Sequence, residues 1–294
     1  MGREEVRFAS GRDRCAAWLF LPAAADGPVP CVVLGSGLSC VRDQGLDAFA
    51  ARFAEAGFAA LAFDYRYFGD SGGEPRSLIA ARRQREDFLA ALAFARSLDG
   101  VASDRVALWG YSLGGGHVQH LAATESGIAA TVCVTPVVNG LRSLLHVGGP
   151  RHPLRLMAAG VRDGFRVLRR AEPYRIPAAG PPGTLAALSS PDSAPGYEAM
   201  TSPGSTWRNE LCARTALAPP YRLEGKVRHI ACPTLYCLTE EDDVNPPALG
   251  KLAAQRVPGA ELHLYPGGHF DPFLGDTFER MAADQVDFLS RRLG

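Results

Sequence analysis

Short, uninterrupted apolar runs alternate along this chain with stretches whose apolar residues recur at a helical spacing, and this alternation constrains the fold more than any other feature. Cys31 to Leu34 is one such run. A segment apolar at every position suits a strand covered on both faces, as in a parallel sheet between layers of helices. After it, a helix over 43–56 carries Leu46, Phe49 and Phe53 on one side, stops at Gly57 and leads to a strand over 58–64. A longer helix across 79–98, with Phe88, Leu89 and Leu92 on one face, leads to a strand over 105–109. The helix after Ser112 leads to a strand over 129–135. Strands joined through amphipathic helices imply a mostly parallel sheet with right-handed crossovers, an α/β architecture. Residues 4–20 read as two antiparallel strands ahead of it.

The rhythm breaks after the sixth strand. From Pro136 to about Gly225 the chain is rich in Pro, Gly and Arg, with turn signals at PPG (181–183), SSPDSAPG and TSPGS. That length is too great for a connection inside a compact sheet, so 136–225 is expected to be a largely helical and looping insertion that caps the rest. Residues 1–135 and 226–294 then form one core. The sheet pattern resumes at PTLYCLT, a helix over 246–256, the strand ELHLY (261–265) and a final helix over 277–293.

Within this frame RVALWGYSLGGG is a hydrophobic strand running into a tight turn and then a helix. A Gly-x-Ser-x-Gly pattern gains its meaning from that context. Gly110 and Gly114 are needed where a side chain would collide with the neighbouring strand or helix, and Ser112 is left strained, with its hydroxyl exposed at the sheet edge. The start of a helix supplies unpaired N–H groups and a positive dipole end, which favour an oxyanion. A serine hydroxyl is a poor nucleophile until a base takes its proton and a carboxylate orients that base. TLYCLTEEDDVNPP places Glu240, Glu241, Asp242 and Asp243 directly after a core strand, and HLYPGGHFDPF places His269 in a glycine-bounded loop after the next. Loops at the C-terminal ends of neighbouring parallel strands open on one side, so all three can converge. Among the seven histidines His117 is the rival base. His117 and His120 lie on the helix behind the serine.

The motifs GYSLGGGHV (110–118), FDYRYFGDSGGEPR (63–76), EEDDVNPP (240–247) and YPGGHFDPF (265–273) together resemble the α/β-hydrolase superfamily, and within it the bacterial serine esterases similar to dienelactone hydrolase that carry a cap insertion. The resemblance covers the chain outside the insertion. It implies a catalytic triad of Ser112, Asp242 and His269. In the family the acid is followed by three residues and a proline, and counting back from Pro246 gives Asp242, with Asp243 next in line. The resemblance also implies an oxyanion hole from the N–H groups of Leu113 and of Leu38, in the loop GSGLSCVRD. Ser36 stands where the family has a histidine that braces this loop. Asp64, Arg66 and Asp70, in the loop that buttresses the site in relatives, are read as structural.

Lys+Arg and Asp+Glu each total 31, so no global field favours nucleic acid or an anionic membrane, and the expected partner is a small organic substrate. A homodimer is left open. The charges in MGREEVRFAS interrupt any apolar leader, and the seven scattered cysteines read as reduced core thiols, both pointing to the cytoplasm. The expected activity is cleavage of an ester, lactone or thioester through an acyl-enzyme on Ser112, with no metal or cofactor needed. Two alternatives stand beside it: the same triad used for cyclisation, elimination or carbon–carbon cleavage, motivated by Ser36, and a ligand-binding protein on a hydrolase scaffold. In the insertion, Phe165, Tyr174, Met200 and Trp207 are candidates either to line an apolar chamber or to form a small core. Arginines 151, 155, 162, 166, 169, 170 and 175 either recognise an anionic or polyoxygenated substrate or form a solvated surface.

Overall fold

The computed structural model describes residues 2–23 and 27–294. Its strands are β1 (Gly2–Ser10), β2 (Asp13–Leu21), β3 (Val29–Gly35), β4 (Ala59–Phe63), β5 (Val101–Tyr111), β6 (Thr131–Val134), β7 (Arg175–Ile176), β8 (Leu211–Cys212), β9 (Thr234–Thr239) and β10 (Glu261–Tyr265). Its α-helices are α1 (Leu46–Glu55), α2 (Ala81–Arg96), α3 (Leu113–Ala122), α4 (Gly140–Gly148), α5 (Arg151–Leu168), α6 (Ser193–Met200), α7 (Pro247–Arg256) and α8 (Gly275–Leu293).

Eight strands form one sheet in the order β1-β2-β4-β3-β5-β6-β9-β10. The β1–β2 hairpin is antiparallel, β2 lies antiparallel to β4, and every pair from β4 to β10 is parallel. The parallel strands β3, β4, β6 and β9 are apolar at nearly every position because helices cover both faces. On one face Phe88 of α2, Val118 of α3 and Leu249 of α7 pack with Val33, Leu61 and Leu108; on the other, Phe49 and Phe53 of α1 and Met281 and Phe288 of α8 pack with Val32, Leu34 and Trp109. Trp109 is fully buried, and its indole N–H donates to Gln285 Oε1 at 2.8 Å, tying β5 to α8. An indole buried in this way requires such a partner.

The expected α/β class and the order of elements match this architecture, with shifts at element ends. β5 begins at Val101 instead of 105, because Val29 pairs with Val101 ahead of an irregularity and the strand then re-pairs from Cys31 with Val106. The segment between β6 and β9 contains α4, α5, α6 and the two-stranded antiparallel pair β7–β8, followed by a 3-10 turn at Ala213–Leu217. The inner side of α5 packs on that turn, where Gly160 lies against Ala213 O and Leu217.

Candidate active site

Ser112 sits between the end of β5 and the start of α3 with φ 53° and ψ −113°. This is a strained backbone for a non-glycine residue. The chain can bend so sharply only because nothing projects from its neighbours. A Cβ on Gly110 would stand 2.4 Å from the Gly114 carbonyl, and one on Gly114 would stand 2.5 Å from the carbonyl oxygens of Gly35 and Ser36. The turn is held by Ser112 N–H donating to Val134 O at 2.9 Å and by Val137 N–H donating to Ser112 O at 2.9 Å.

His269 follows β10. Its Nε2 lies 3.0 Å from Ser112 Oγ, and its Nδ1 lies 2.8 Å from Asp242 Oδ2. With the proton on Nδ1 donating to the carboxylate, Nε2 is free to accept from the serine hydroxyl. All three side chains are buried, so the Ser112 hydroxyl, expected to be exposed at the sheet edge, instead borders a cavity. The imidazole packs over Tyr111, whose hydroxyl donates to His269 O at 3.0 Å, and edge-on against Phe270. Asp242 follows β9, and its second oxygen, Oδ1, accepts the backbone N–H groups of Val244 at 2.8 Å and Asn245 at 2.7 Å. The carboxylate therefore has donors on both oxygens, so it is held in one orientation. The other acids of the cluster point elsewhere: Asp243 accepts Asp192 N–H at 3.0 Å, Glu241 accepts the Gly267 N–H, and Glu240 is exposed.

His117 is also buried but belongs to a different assembly. Its ring lies 2.5 Å from the Tyr221 hydroxyl and 3.0 Å from Gln84 Oε1, and burial pushes its pKa well below the ordinary histidine value. A neutral ring donating to Gln84 and accepting from Tyr221 fits those contacts. Asp64 and Asp70 both bind Arg42, at 2.6 and 2.7 Å, while Arg66 binds Asp87 at 2.6 Å. These pairs brace loops and do not reach the serine.

The loop after β3 approaches Ser112 closely, since a Cβ on Gly37 would stand 3.2 Å from Ser112 Cβ. Ser36 does not reproduce a histidine brace. Its hydroxyl donates to Cys40 O at 2.8 Å and closes the loop on itself, with Trp207 Nε1 donating to Ser39 Oγ at 3.2 Å from outside. Leu38 and Leu113 both border a cavity of about 420 Å³ that opens beside Ser112.

One residue of the site carried no sequence signal. Asn245 is buried, and its side-chain amide donates to Thr135 O at 2.8 Å and points its other N–H at Ser112 Oγ, 3.4 Å away. Ser143 of α4 donates to Asn245 Oδ1 at 2.8 Å and fixes the orientation of the amide. Nothing in the string EEDDVNPP marks this asparagine, because its partners lie 110 and 102 residues earlier. The apolar candidates of the insertion do not border the cavity: Phe165 faces solvent, Tyr174 lies under the Arg162 guanidinium, and Met200 and Trp207 pack around Tyr197 in a small cluster behind the cavity wall. None of the seven candidate arginines borders it either; Arg222 is its one charged lining residue. Among the described residues no cluster of three or more His, Cys, Asp or Glu side chains is arranged to hold a metal ion.

A strand-turn-helix serine, with an imidazole and a carboxylate brought to it from later strands of a parallel sheet, belongs to a recognised class. The profile of the alpha/beta hydrolase family matches residues 32–284, and the chain belongs to that family. Among its relatives, the quorum-quenching protein AidA of Acinetobacter baumannii (strain MDR-ZJ06) is 38% identical over 98% of this chain and 94% of its own length. The polyketide transferase grgF of a Penicillium species is 28% identical over 94% of this chain and 92% of its own. Of solved structures, DcsB in complex with its substrate analogue superposes with a TM-score of 0.86 at 24% identity, covering 99% of both chains, a likeness of fold.

Proposed function

We propose that this protein is a serine hydrolase that cleaves an ester, lactone or thioester with a largely apolar acyl portion. The observation that carries this reading is the continuous hydrogen-bonded line from Ser112 Oγ through His269 to Asp242, at 3.0 and 2.8 Å. Ser112 Oγ attacks the carbonyl carbon while its proton passes to His269 Nε2, and the imidazolium so formed is stabilised by Asp242. The oxyanion is received by the N–H groups of Leu38 and Leu113, the latter being the first residue of α3, where N–H groups lack intrahelical acceptors. His269 then protonates the leaving group, and water, activated by the same imidazole, releases the acyl group. Asn245 acts as a positioning residue that keeps Ser112 Oγ aimed at the imidazole.

Residues 136–225 act as the cap, supplying most of the cavity wall. Leu144, Leu156, Leu188 and Val137 from this segment face Leu113 and Val244. Such a lining favours an acyl chain over a charged substrate. The name of the AidA relative is in keeping with a signal compound as substrate, and the four motifs remain compatible with a dienelactone-hydrolase-like esterase. The seven cysteines, six of them buried, are read as reduced core thiols of a cytoplasmic protein.

A second reading keeps the same three residues for acyl transfer or ring closure in natural-product synthesis. Ser36, closing its loop on Cys40, and the polyketide transferase among the relatives favour it. A fluorophosphonate probe and a series of p-nitrophenyl esters, run beside Ser112→Ala, separate the two. Labelling with turnover, both lost in the variant, supports hydrolysis; labelling without turnover of any ester points to transfer. Absence of labelling in the wild type removes both readings and leaves a binding scaffold.

A further inference from the structure

The outer side of α5 has a composition that neither the core nor the cavity explains. Its inner side buries His152, Leu156, Ala159, Gly160 and Asp163. At about 100° per residue, Leu154, Met157, Val161, Phe165 and Leu168 fall together on the opposite side. Leu154 is 64% exposed, Phe165 58% and Leu168 80%. Next to this stripe, on one flank, run Arg151, Arg155, Arg162, Arg166 and Arg169. A shallow groove has Ala158, Val161 and Phe165 on one bank and Arg162, Arg166 and Arg169 on the other. From 151 to 170 the only acid is Asp163, which is buried and held by Arg214 at 3.2 Å. Where these arginines make hydrogen bonds, they use backbone carbonyls: Arg155 donates to Gly183 O and Arg166 to Glu172 O. Arg162 lies over the Tyr174 ring at 4.0 Å, and among the described residues none of the five forms an ion pair.

We propose that α5 is a docking surface for an anionic lipid bilayer. The apolar stripe enters the acyl boundary and the arginine row engages headgroup phosphates, with the helix lying in the plane of the interface. A contiguous exposed apolar stripe marks a surface that is covered in use. A second copy of the chain is a poor cover, because an antiparallel pair of α5 helices sets the two arginine rows side by side and a parallel pair sets each row against a flank that carries no exposed acid. A phosphate-bearing surface meets both halves of the face at once. Among the described residues no helix is long and apolar enough to cross a membrane, so attachment is peripheral. Met157 belongs both to the stripe and to the wall of the cavity beside Ser112. Docking therefore sets the cavity next to the lipid, where apolar esters partition; this consequence, unlike the docking itself, rests on the hydrolase reading.

The test is co-sedimentation of the full chain with vesicles of equal parts phosphatidylcholine and phosphatidylglycerol, and with phosphatidylcholine alone. Binding is expected only to the first, weakening as salt is raised. Phe165→Glu with Leu168→Glu should lower partitioning by about tenfold or more. Arg151→Glu with Arg169→Glu, which leaves the stripe intact, should also lower it. Neither pair should alter the melting temperature or turnover of a soluble short-chain ester. Equal sedimentation with both vesicle types, or binding unchanged in both variants, would overturn the proposal. So would a wild-type dimer, seen by light scattering, that ignores vesicles and becomes monomeric in the Phe165/Leu168 variant, since the stripe would then be covered by another copy. Because sedimentation does not depend on catalysis, a protein that turns over no ester still tests the surface.

Discussion

Asn245 makes the sharpest single-residue case, because its amide has one N–H committed to Thr135 O at 2.8 Å and the other directed at Ser112 Oγ at 3.4 Å. Removing a hydrogen bond of this kind costs about 1 kcal/mol net, so Asn245→Ala should lower kcat/KM for a p-nitrophenyl ester by roughly five- to tenfold. Asn245→Asp replaces a donor with an acceptor beside a carbonyl and a serine oxygen and should lose more. If Asn245→Ala leaves the rate untouched while Ser143→Ala does as well, the amide is packing only. Asp242→Asn should be far more damaging than Asp243→Asn in the same assay, because only Asp242 lies against His269 Nδ1. The family's spacing to a proline, counted back from Pro246, points to Asp242, and that is the acid whose Oδ2 lies 2.8 Å from His269 Nδ1. The part of Asn245 was not legible in the sequence, since it depends on where Thr135 and Ser143 come to lie.

At the scale of elements, the junction of β5 and α3 concentrates the steric demand of the site. The Gly114 position lies against the carbonyl oxygens of Gly35 and Ser36, so a methyl there must push α3 away from the loop that carries Leu38. Gly114→Ala should cost about 1–3 kcal/mol of stability, as overpacking does, read from the urea midpoint. It should also slow fluorophosphonate labelling out of proportion to the fraction unfolded, since the loop after β3 would be displaced. Normal labelling in a destabilised variant would show that the loop does not contribute to the site. This junction could be read in advance because its signal is local: an apolar strand, glycines at fixed offsets and a following helix. The wall of the cavity could not. Phe165 was a candidate to line a chamber, yet α5 is amphipathic in both directions, and only its packing on the turn at Ala213–Leu217 decides which side faces inward.

Across the whole molecule, a buried histidine ties the segment between β6 and β9 to the central core. Tyr221 of that segment receives a hydrogen bond from Arg85 at 2.8 Å and reaches His117 Nδ1, while His117 also meets Gln84 of α2. Facing groups include Arg85 and His120, and burial is the first cause that lowers the His117 pKa far below 6.5. Burial likewise pushes His120 down, to about 4. Below pH 6.5 the unfolded chain therefore binds more protons than the folded one, and stability should fall as pH falls. The limiting slope is about 1.4 kcal/mol per pH unit for a fully buried ring. Urea midpoints on either side of that pH, compared between wild type and His117→Gln, should show a shallower dependence in the variant. An identical dependence would mean that the other depressed histidines, His120 and His152, and the carboxylates account for it.

What the amino-acid sequence determined by itself was whatever is encoded by neighbours along the chain. Periodic apolar runs specified an α/β sheet, because a strand or helix must bury its own apolar positions. Glycine spacing specified a strained turn at Ser112, because sterics act over a few bonds. Strand order and loop position brought Asp242 and His269 under consideration. Tertiary structure alone decided which groups meet across space: Asn245 with Ser112, Tyr221 with His117, the arginines of α5 with solvent instead of the cavity. Those outcomes depend on how separately folded elements pack, and packing is settled by the shapes of surfaces that no local stretch of sequence contains.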